Sequence, residues 1–161
     1  MELHNIPPIF DENSEILILG SFPSVKSRET GFFYGHPQNR FWRVLAALKN
    51  EETPQSIEEK KKFLLRNRVA VWDVIKSCDI TGSSDSSIRN VIPNDISSIL
   101  GASKIERIFT NGGTAYRLYR KYIGNDAIPL PSTSPANAAY SLDRLINEWS
   151  VILRVENNGG V

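Results

Sequence analysis

Four short apolar runs, separated by segments with helical spacing, are the feature of this sequence that most restricts its fold. The runs cover residues 16–19, 69–72, 105–109 and 128–130. Strands that alternate with helices along a chain form a parallel sheet with flanking helices. At 161 residues the chain suits one domain spanning residues 1–161. We therefore predict a single α/β domain built on a parallel sheet.

The segments between these runs carry helix and loop signals. Apolar residues at helical spacing predict a first helix over about residues 39–49. Thr53 and Pro54 would open a second helix, which has acidic residues early and basic residues late, as a helix dipole favours. Further predictions are a surface loop over residues 78–90, helices over about 93–100, after the turn 110–114 and over about 138–153, and a frayed tail over 156–161.

Composition narrows the chemistry. The single cysteine, Cys78, excludes an intrachain disulfide, and with only two histidines a metal site built from protein ligands is not expected. We predict no metal and no cofactor. No apolar run is long enough to span a bilayer, so a membrane role is not predicted and an intracellular, cytoplasmic protein is expected. With a net charge of +1, any contact with nucleic acid must come from a local patch.

Three unusual turns follow strands of the predicted sheet. They span residues 20–24, 111–114 and 131–137. Loops that leave parallel strands emerge at one edge of the sheet, so these turns should line one cleft. They match neither a Walker loop nor a dinucleotide fingerprint. Their hydroxyl groups and backbone N–H groups suit phosphodiester oxygens.

Three motifs give the chain a resemblance to a known family. They are Gly-Ser-Phe-Pro-Ser at 20–24, Gly-His-Pro-Gln-Asn-Arg-Phe-Trp at 35–42 and Ser-Thr-Ser-Pro-Ala-Asn at 132–137. With them the chain resembles the uracil-DNA glycosylase superfamily, specifically its hypoxanthine-DNA glycosylase branch. The resemblance implies a three-layer α/β/α fold with a four-stranded parallel sheet, whose core covers about residues 10–155. It also implies cleavage of the N-glycosidic bond of a deaminated base in DNA, without a metal.

The resemblance assigns roles around the base. Many relatives carry Asp or Asn where this chain has Phe22, and the hypoxanthine branch uses a side chain that resembles Asn39, which becomes the expected catalytic residue. An asparagine before a helix is also an ordinary cap. Tyr34 aligns with an aromatic residue that stacks on the flipped base, and Asp73 could accept from N1–H of hypoxanthine. The predicted base-binding residues are Ser21, Phe22, Tyr34, Trp72 and Asp73.

The last motif and the first turn supply the expected contacts with DNA. Ala136 occupies the place where the uracil enzymes insert a leucine, so the site should suit bases that are easily extruded. The predicted DNA-binding residues are Ser24, Lys26, Ser132, Ser134, Pro135, Ala136 and Asn137. The partner is DNA that contains deaminated bases, and downstream abasic-site enzymes are conceivable partners.

Two alternatives stay open at the level of sequence. The chain could be a mismatch-specific uracil or thymine glycosylase, since it also resembles, more weakly, the mismatch-specific uracil-DNA glycosylases. It could also be a catalytically silent module that binds damaged DNA, because Phe22 cannot polarise a water molecule. The leading hypothesis is a monofunctional hypoxanthine-DNA glycosylase that acts in base excision repair.

Overall fold

The computed structural model describes residues 1–153. This part of the chain contains seven strands: β1 (Glu2–Leu3), β2 (Ile16–Gly20), β3 (Val69–Asp73), β4 (Ile75–Asp79), β5 (Arg89–Pro93), β6 (Arg107–Asn111) and β7 (Ala127–Leu130). It also contains six α-helices: α1 (Val25–Thr30), α2 (Phe41–Lys49), α3 (Ile57–Arg66), α4 (Ile96–Gly101), α5 (Gly113–Tyr122) and α6 (Leu142–Trp149). Two short 3₁₀ turns lie at Asp85–Ser87 and Ser150–Leu153.

The predicted four-stranded parallel sheet is confirmed. Its strand order is β3-β2-β6-β7, and every neighbouring pair is parallel. Each of the four apolar runs became one strand, because a sheet that is covered on both faces requires strands that are apolar throughout. The strand formed by the third run, β6, begins at Arg107, two residues later than predicted. At their carboxyl ends β2, β3 and β6 extend to Gly20, Asp73 and Asn111, which are the residues that reach the site.

Helices cover both faces of the sheet, as the three-layer prediction required. Along β2, Ile16 and Ile18 face one hydrophobic cluster while Leu17 and Leu19 face the other. This alternation follows from the two-residue repeat of a strand. Helices α2, α3 and α6 contribute to the first cluster, and α4 and α5 contribute to the second. Because the helices cover the two faces of the sheet, the carboxyl ends of its strands are left to form a ligand-binding site.

A second, smaller sheet was not predicted. Strands β1, β4 and β5 form an antiparallel sheet in the order β1-β4-β5. The prediction of a surface loop over residues 78–90 was therefore wrong at both ends, because Arg89 and Asn90 belong to β5 and Cys78 is buried in β4. It packs in a small cluster with Phe22 and Ile75. Short strands of mixed polarity give no clear periodic signal, which is why the sequence did not disclose them.

Several helix boundaries differ from the predictions. Helix α3 begins at Ile57 and not at Pro54, because Ser56 caps it. Pro93 belongs to β5, so α4 begins three residues later, at Ile96. Helix α6 begins at Leu142 with Ser141 as its cap, and the helix after Gly112 is confirmed as α5. Helix α1 was not predicted, and the tail at residues 156–161 lies outside the described residues.

None of the helices in residues 1–153 has the length and apolar character that crossing a membrane requires.

We predict that Ser56→Ala lowers the free energy of unfolding by about 1 kcal/mol, the usual effect of losing an N-cap. The Ser56 hydroxyl accepts from Glu59 N–H at 3.0 Å, and the Glu59 carboxylate accepts from Ser56 N–H at 3.1 Å. Together the two contacts form a capping box, of which an alanine would keep only the one from its backbone N–H. Urea unfolding measures the change. Asn13→Ala is the control and should be close to neutral, because the Asn13 side chain is exposed and has no hydrogen bond to a described residue.

Candidate active site

A pocket of about 150 Å³ opens at the carboxyl edge of the parallel sheet. Pockets for drug-sized ligands measure roughly 300–1,000 Å³, so this one suits a group the size of a single heterocyclic base. The lining residues come from the ends of β2, β3 and β6 and from three loops: Gly20, Ser21, Phe22, Pro23, Ser24, Ser27, Phe33, Tyr34, Asn39, Asp73, Ser83, Asp85, Asn111, Ser132, Thr133 and Ser134.

The three turns singled out in the sequence meet around this pocket. The whole first turn, residues 20–24, lines it, together with Asn111 from the second and residues 132–134 from the third. The parallel register explains the meeting, since β2 pairs with β3 on one side and β6 on the other. Thr114 lies on α5 and does not line the pocket.

Asn39 is both a cap and a pocket residue. Its Oδ1 accepts from Phe41 N–H at 2.9 Å, at the start of α2, and from the Thr133 hydroxyl at 2.8 Å. Because an N–H donates to this atom, it must be the oxygen, which fixes the orientation of the amide. Both lone pairs of Oδ1 are then engaged. The Nδ2 amino group, with no acceptor among the described residues, is the part of Asn39 left for a ligand.

Thr133 connects Asn39 to the end of β6. Its fully buried hydroxyl accepts from Asn111 Nδ2 at 3.0 Å while it donates to Asn39. Thr133 N–H in turn donates to Asn111 Oδ1 at 3.0 Å. Neither Thr133 nor Asn111 was among the site residues predicted from the sequence. The position of Asn111 at the end of an apolar run, directly before two glycines, was the available signal.

Tyr34 lies in the wall of the pocket with its backbone in the left-handed region, at φ 51°. One face of its ring stacks on Phe41 at 4.0 Å between centroids, so a ligand can meet only the other face or the edge. The hydroxyl is buried beside the Asn111 side chain and makes no hydrogen bond of regular geometry to any described residue. Burial, followed by the charge of Asp73, raises the pKa of Tyr34. The phenol therefore stays protonated and can donate.

Asp73 and Gly20 form the floor of the pocket. Asp73 is buried, and its Oδ2 accepts from His4 Nε2 at 2.8 Å. A Cβ atom built on Gly20 would lie 2.5 Å from Asp73 Oδ1 and 3.0 Å from Tyr34 Oη. Only a glycine allows both polar atoms to approach the strand end this closely. Oδ1 thus remains as an acceptor at the pocket.

A second carboxyl group reaches the pocket from the loop between β4 and β5. Asp85 Oδ1 accepts from the Ser21 hydroxyl at 3.2 Å. Although much of Asp85 is exposed, desolvation of its carboxyl group raises its pKa. Phe22 lies nearby, buried against Ile75 and Cys78. Ser21 and Phe22, two of the predicted base-binding residues, line the pocket, whereas the sequence gave no reason to select Asp85 from a Ser-rich loop.

The loop formed by residues 132–137 is built from its own polar groups. Ser132 Oγ accepts from Ser134 N–H at 3.1 Å, Ser134 Oγ accepts from Ala136 N–H at 3.1 Å, and Asn137 Nδ2 donates to Ser132 O at 3.0 Å. The hydroxyl hydrogens of both serines can still donate to a ligand. A proline, Pro135, fixes the middle of the loop.

Arg40 holds this loop against the start of α2. Its guanidinium donates to the carbonyl oxygens of Ser134 at 2.7 Å and Asn137 at 3.1 Å, and also to that of Tyr140. Its backbone N–H donates to Thr133 O at 3.1 Å. The residue next to Asn39 in sequence is therefore the one that positions the 132–137 loop.

The other predicted residues lie around the pocket and not in it. Trp72 points away from the site, because neighbouring residues of a strand face opposite sides and Asp73 faces the pocket. It packs against both hydrophobic clusters and borders a groove beside His4. Its predicted contact with the base does not agree with this placement. Four predicted DNA-binding residues do not line the pocket. Lys26 and Ala136 are exposed, and Pro135 and Asn137 are partly exposed.

Comparison with known proteins agrees with the fold. The sequence model of the Uracil DNA glycosylase superfamily matches residues 7–153, so the chain belongs to that superfamily. Within it, the chain is 39% identical over 152 residues to a hypoxanthine DNA glycosylase from Methanosarcina acetivorans, a match that covers 92% of this chain and 96% of the relative. A hypoxanthine DNA glycosylase from Methanosarcina barkeri is 35% identical over 142 residues, covering 85% and 89% of the two chains.

A solved structure is similar over the same length. It is a solution NMR structure, from Methanosarcina acetivorans, of a protein described as a candidate uracil DNA glycosylase. It superimposes with a TM-score of 0.78 at 38% sequence identity, covering 92% of this chain and 94% of the other. The four-stranded parallel sheet between helices is thus the architecture of the superfamily to which the chain belongs.

We predict that Arg40→Lys lowers the free energy of unfolding by about 2–3 kcal/mol, the usual contribution of one hydrogen bond to a charged group. Lysine keeps the charge but cannot donate to several carbonyl oxygens in the fixed directions of a guanidinium. Urea unfolding measures the change. Arg43→Lys is the matched control on α2, where the guanidinium makes only long contacts of 3.4 and 3.5 Å. Equal stability of the two variants would contradict the role of Arg40.

Proposed function

We infer that this chain is a DNA glycosylase that excises hypoxanthine, the product of adenine deamination, from DNA. Membership of the superfamily and the two relatives named above support the reaction and the base. The observation that carries the proposal is the locked amide of Asn39. Its oxygen is fixed by Phe41 and Thr133, so its amino group is presented to a pocket of the right size for one base.

The pocket offers donors and an acceptor that match hypoxanthine. A flipped hypoxanthine presents one ring N–H, at N1, and acceptors at O6, N3 and N7. We propose that Asp73 Oδ1 accepts from N1–H while Asn39 Nδ2 donates to an acceptor of the base. Adenine has a lone pair at N1, which would face the Asp73 carboxylate without a hydrogen. An undamaged adenine would therefore be rejected by an unpaired buried acceptor.

Base release follows from the same contacts. The C1′–N9 bond breaks, and its electron pair goes to the departing base, while positive charge develops on the sugar. A fixed amide N–H that faces the base stabilises this negative charge without any rearrangement during the reaction. The Asn39 oxygen is occupied by two donors and is not free to act as a base towards water. Water then adds to C1′ and gives up one proton, which neutralises the departed base anion, so that an abasic site and neutral hypoxanthine remain.

The enzyme is proposed to be monofunctional. No lysine is among the residues that line the pocket within residues 1–153, and Schiff-base cleavage of the strand requires an amine nucleophile. The abasic product would pass to an enzyme that processes abasic sites, and action on the genome implies an intracellular location. These two statements rest on the chemistry of the reaction.

We propose that DNA lies across the mouth of the pocket. The first turn and the 132–137 loop present the hydroxyl groups of Ser24, Ser132 and Ser134 there, and hydroxyl groups are common partners of phosphate oxygens. Lys26 on α1 adds a positive charge beside the first turn. Ala136 and Asn137 extend from the opposite loop, where they could follow the strand from which the base was extruded.

We predict that Asn39→Asp lowers the single-turnover rate of hypoxanthine release at least about 100-fold, the loss typical of removing one donor to a developing anion. The aspartate keeps an acceptor for Phe41 and Thr133 but replaces the amino group with negative charge. Asn39→Ala should be equally slow and also lose about 1 kcal/mol of stability with the cap. Asn13→Ala, on an exposed turn far from the pocket, is the control.

Duplexes that contain hypoxanthine, uracil or no damage are the substrates for this experiment. An Asn39→Asp variant that works at the wild-type rate would remove the amide donor from the mechanism. A wild-type protein that releases uracil and not hypoxanthine would refute the proposed base, and one that releases neither would refute the proposed reaction.

We predict that Gly20→Ala lowers the rate of hypoxanthine release about 10- to 100-fold, because displacement of a positioning group by about 1 Å can have this effect. The new methyl group would overlap Asp73 Oδ1, which cannot move away freely while His4 holds Oδ2. Gly101→Ala is the matched control, since a Cβ there meets no atom within 4 Å. Wild-type activity of the Gly20 variant would contradict the proposed arrangement of the floor.

A further inference from the structure

We propose that His4 is a positioning residue of the active site, which fixes the carboxylate of Asp73 so that one oxygen is always presented to the base. The proposal rests on the proposed function, in which Asp73 reads N1–H of hypoxanthine. The motifs of the sequence gave no role to His4, which lies 69 residues from Asp73 along the chain. The fold brings the amino-terminal segment to the back of the pocket.

The hydrogen bonds of His4 assign its tautomer. Ile6 N–H donates to Nδ1 at 3.3 Å, so Nδ1 carries a lone pair. The ring hydrogen is then on Nε2, which donates to Asp73 Oδ2 at 2.8 Å. The side chains of His4 and Asp73 are 1% and 5% exposed. Water therefore does not compete for this contact, and the direction of the hydrogen bond is set by the protein alone.

The imidazole ring is itself held in place. Leu3 pairs with Ser77 in the β1–β4 ladder, and His4 N–H donates to Lys76 O at 2.8 Å. Three aromatic rings surround the imidazole, with centroid distances of 5.9 Å to Phe22, 6.1 Å to Phe33 and 6.4 Å to Trp72. The small antiparallel sheet thus delivers a rigid donor to the active site. This gives Trp72 a supporting place behind the base pocket.

The contact leaves the two oxygens of Asp73 with different tasks. Oδ2 is occupied by His4, whereas Oδ1 lies against Gly20 at the pocket and accepts from none of the described residues. The backbone of Asp73 is also fixed, because Asn94 Nδ2 donates to its carbonyl oxygen at 2.9 Å. Rotation of the carboxylate would break the contact with His4. The acceptor that faces the base is therefore set before the base arrives.

Two polar replacements of His4 separate positioning from folding. His4→Gln can place its amide N–H where Nε2 lies and should keep the single-turnover rate of hypoxanthine release within a few-fold of wild type. His4→Asn can accept from Ile6 N–H but is too short to reach Asp73. We expect the single-turnover rate of His4→Asn to fall about 10- to 100-fold, the effect of losing one hydrogen bond to a charged group. Affinity for undamaged DNA should be the same in both variants.

A double-mutant cycle with Asp73→Asn tests whether His4 acts through Asp73. In the Asp73→Asn background the further change His4→Asn should have little effect on the rate, since the carboxylate that it positions is gone. Thermal unfolding of every variant accompanies the rates. Equal rates for wild type, His4→Gln and His4→Asn would overturn the proposal, as would fully additive effects in the cycle. Absence of hypoxanthine release by the wild-type protein would instead overturn the proposed function.

Discussion

The arrangement of the site depends on one buried hydroxyl group. Thr133 accepts from Asn111 and donates to Asn39, so a single oxygen joins the end of β6, the loop after β7 and the start of α2. A hydroxyl group can donate only once. Since that hydrogen goes to Asn39, the amide oxygen is occupied and the amino group is the part of the side chain left for a ligand. The buried hydrogen bonds of Thr133 thus determine that the active site presents an amide donor, and not an acceptor, at Asn39.

The consecutive residues Asn39 and Arg40 divide the work of the middle motif. Asn39 turns towards the pocket, while Arg40 turns the other way and holds the 132–137 loop through its carbonyl oxygens. The cation has no carboxylate partner in these contacts, so its hydrogen bonds serve to satisfy the backbone carbonyl groups of the loop. Two neighbouring residues of the motif therefore serve the pocket and the packing of the 132–137 loop.

The sequence disclosed the parts of this molecule that are local or periodic. Fully apolar runs predicted the central sheet, and the resemblance selected Asn39, Tyr34 and Asp73, all of which line the pocket. The sequence did not disclose the role of His4, because the contact between His4 and Asp73 spans 69 residues and depends on a two-residue strand. Nor could it show which end of the Asn39 amide faces the site. That orientation follows from tertiary hydrogen bonds and not from residue type.

The left-handed backbone of Tyr34 has a consequence for the order of events. A non-glycine residue in this region is strained by about 1–3 kcal/mol and persists only where its surroundings hold it. Stacking on Phe41 and the bond from Trp42 Nε1 to Tyr34 O supply that support in the free protein. The wall of the pocket is complete before DNA binds. In the proposed function, a base flipped into the pocket therefore meets a wall that is already in place.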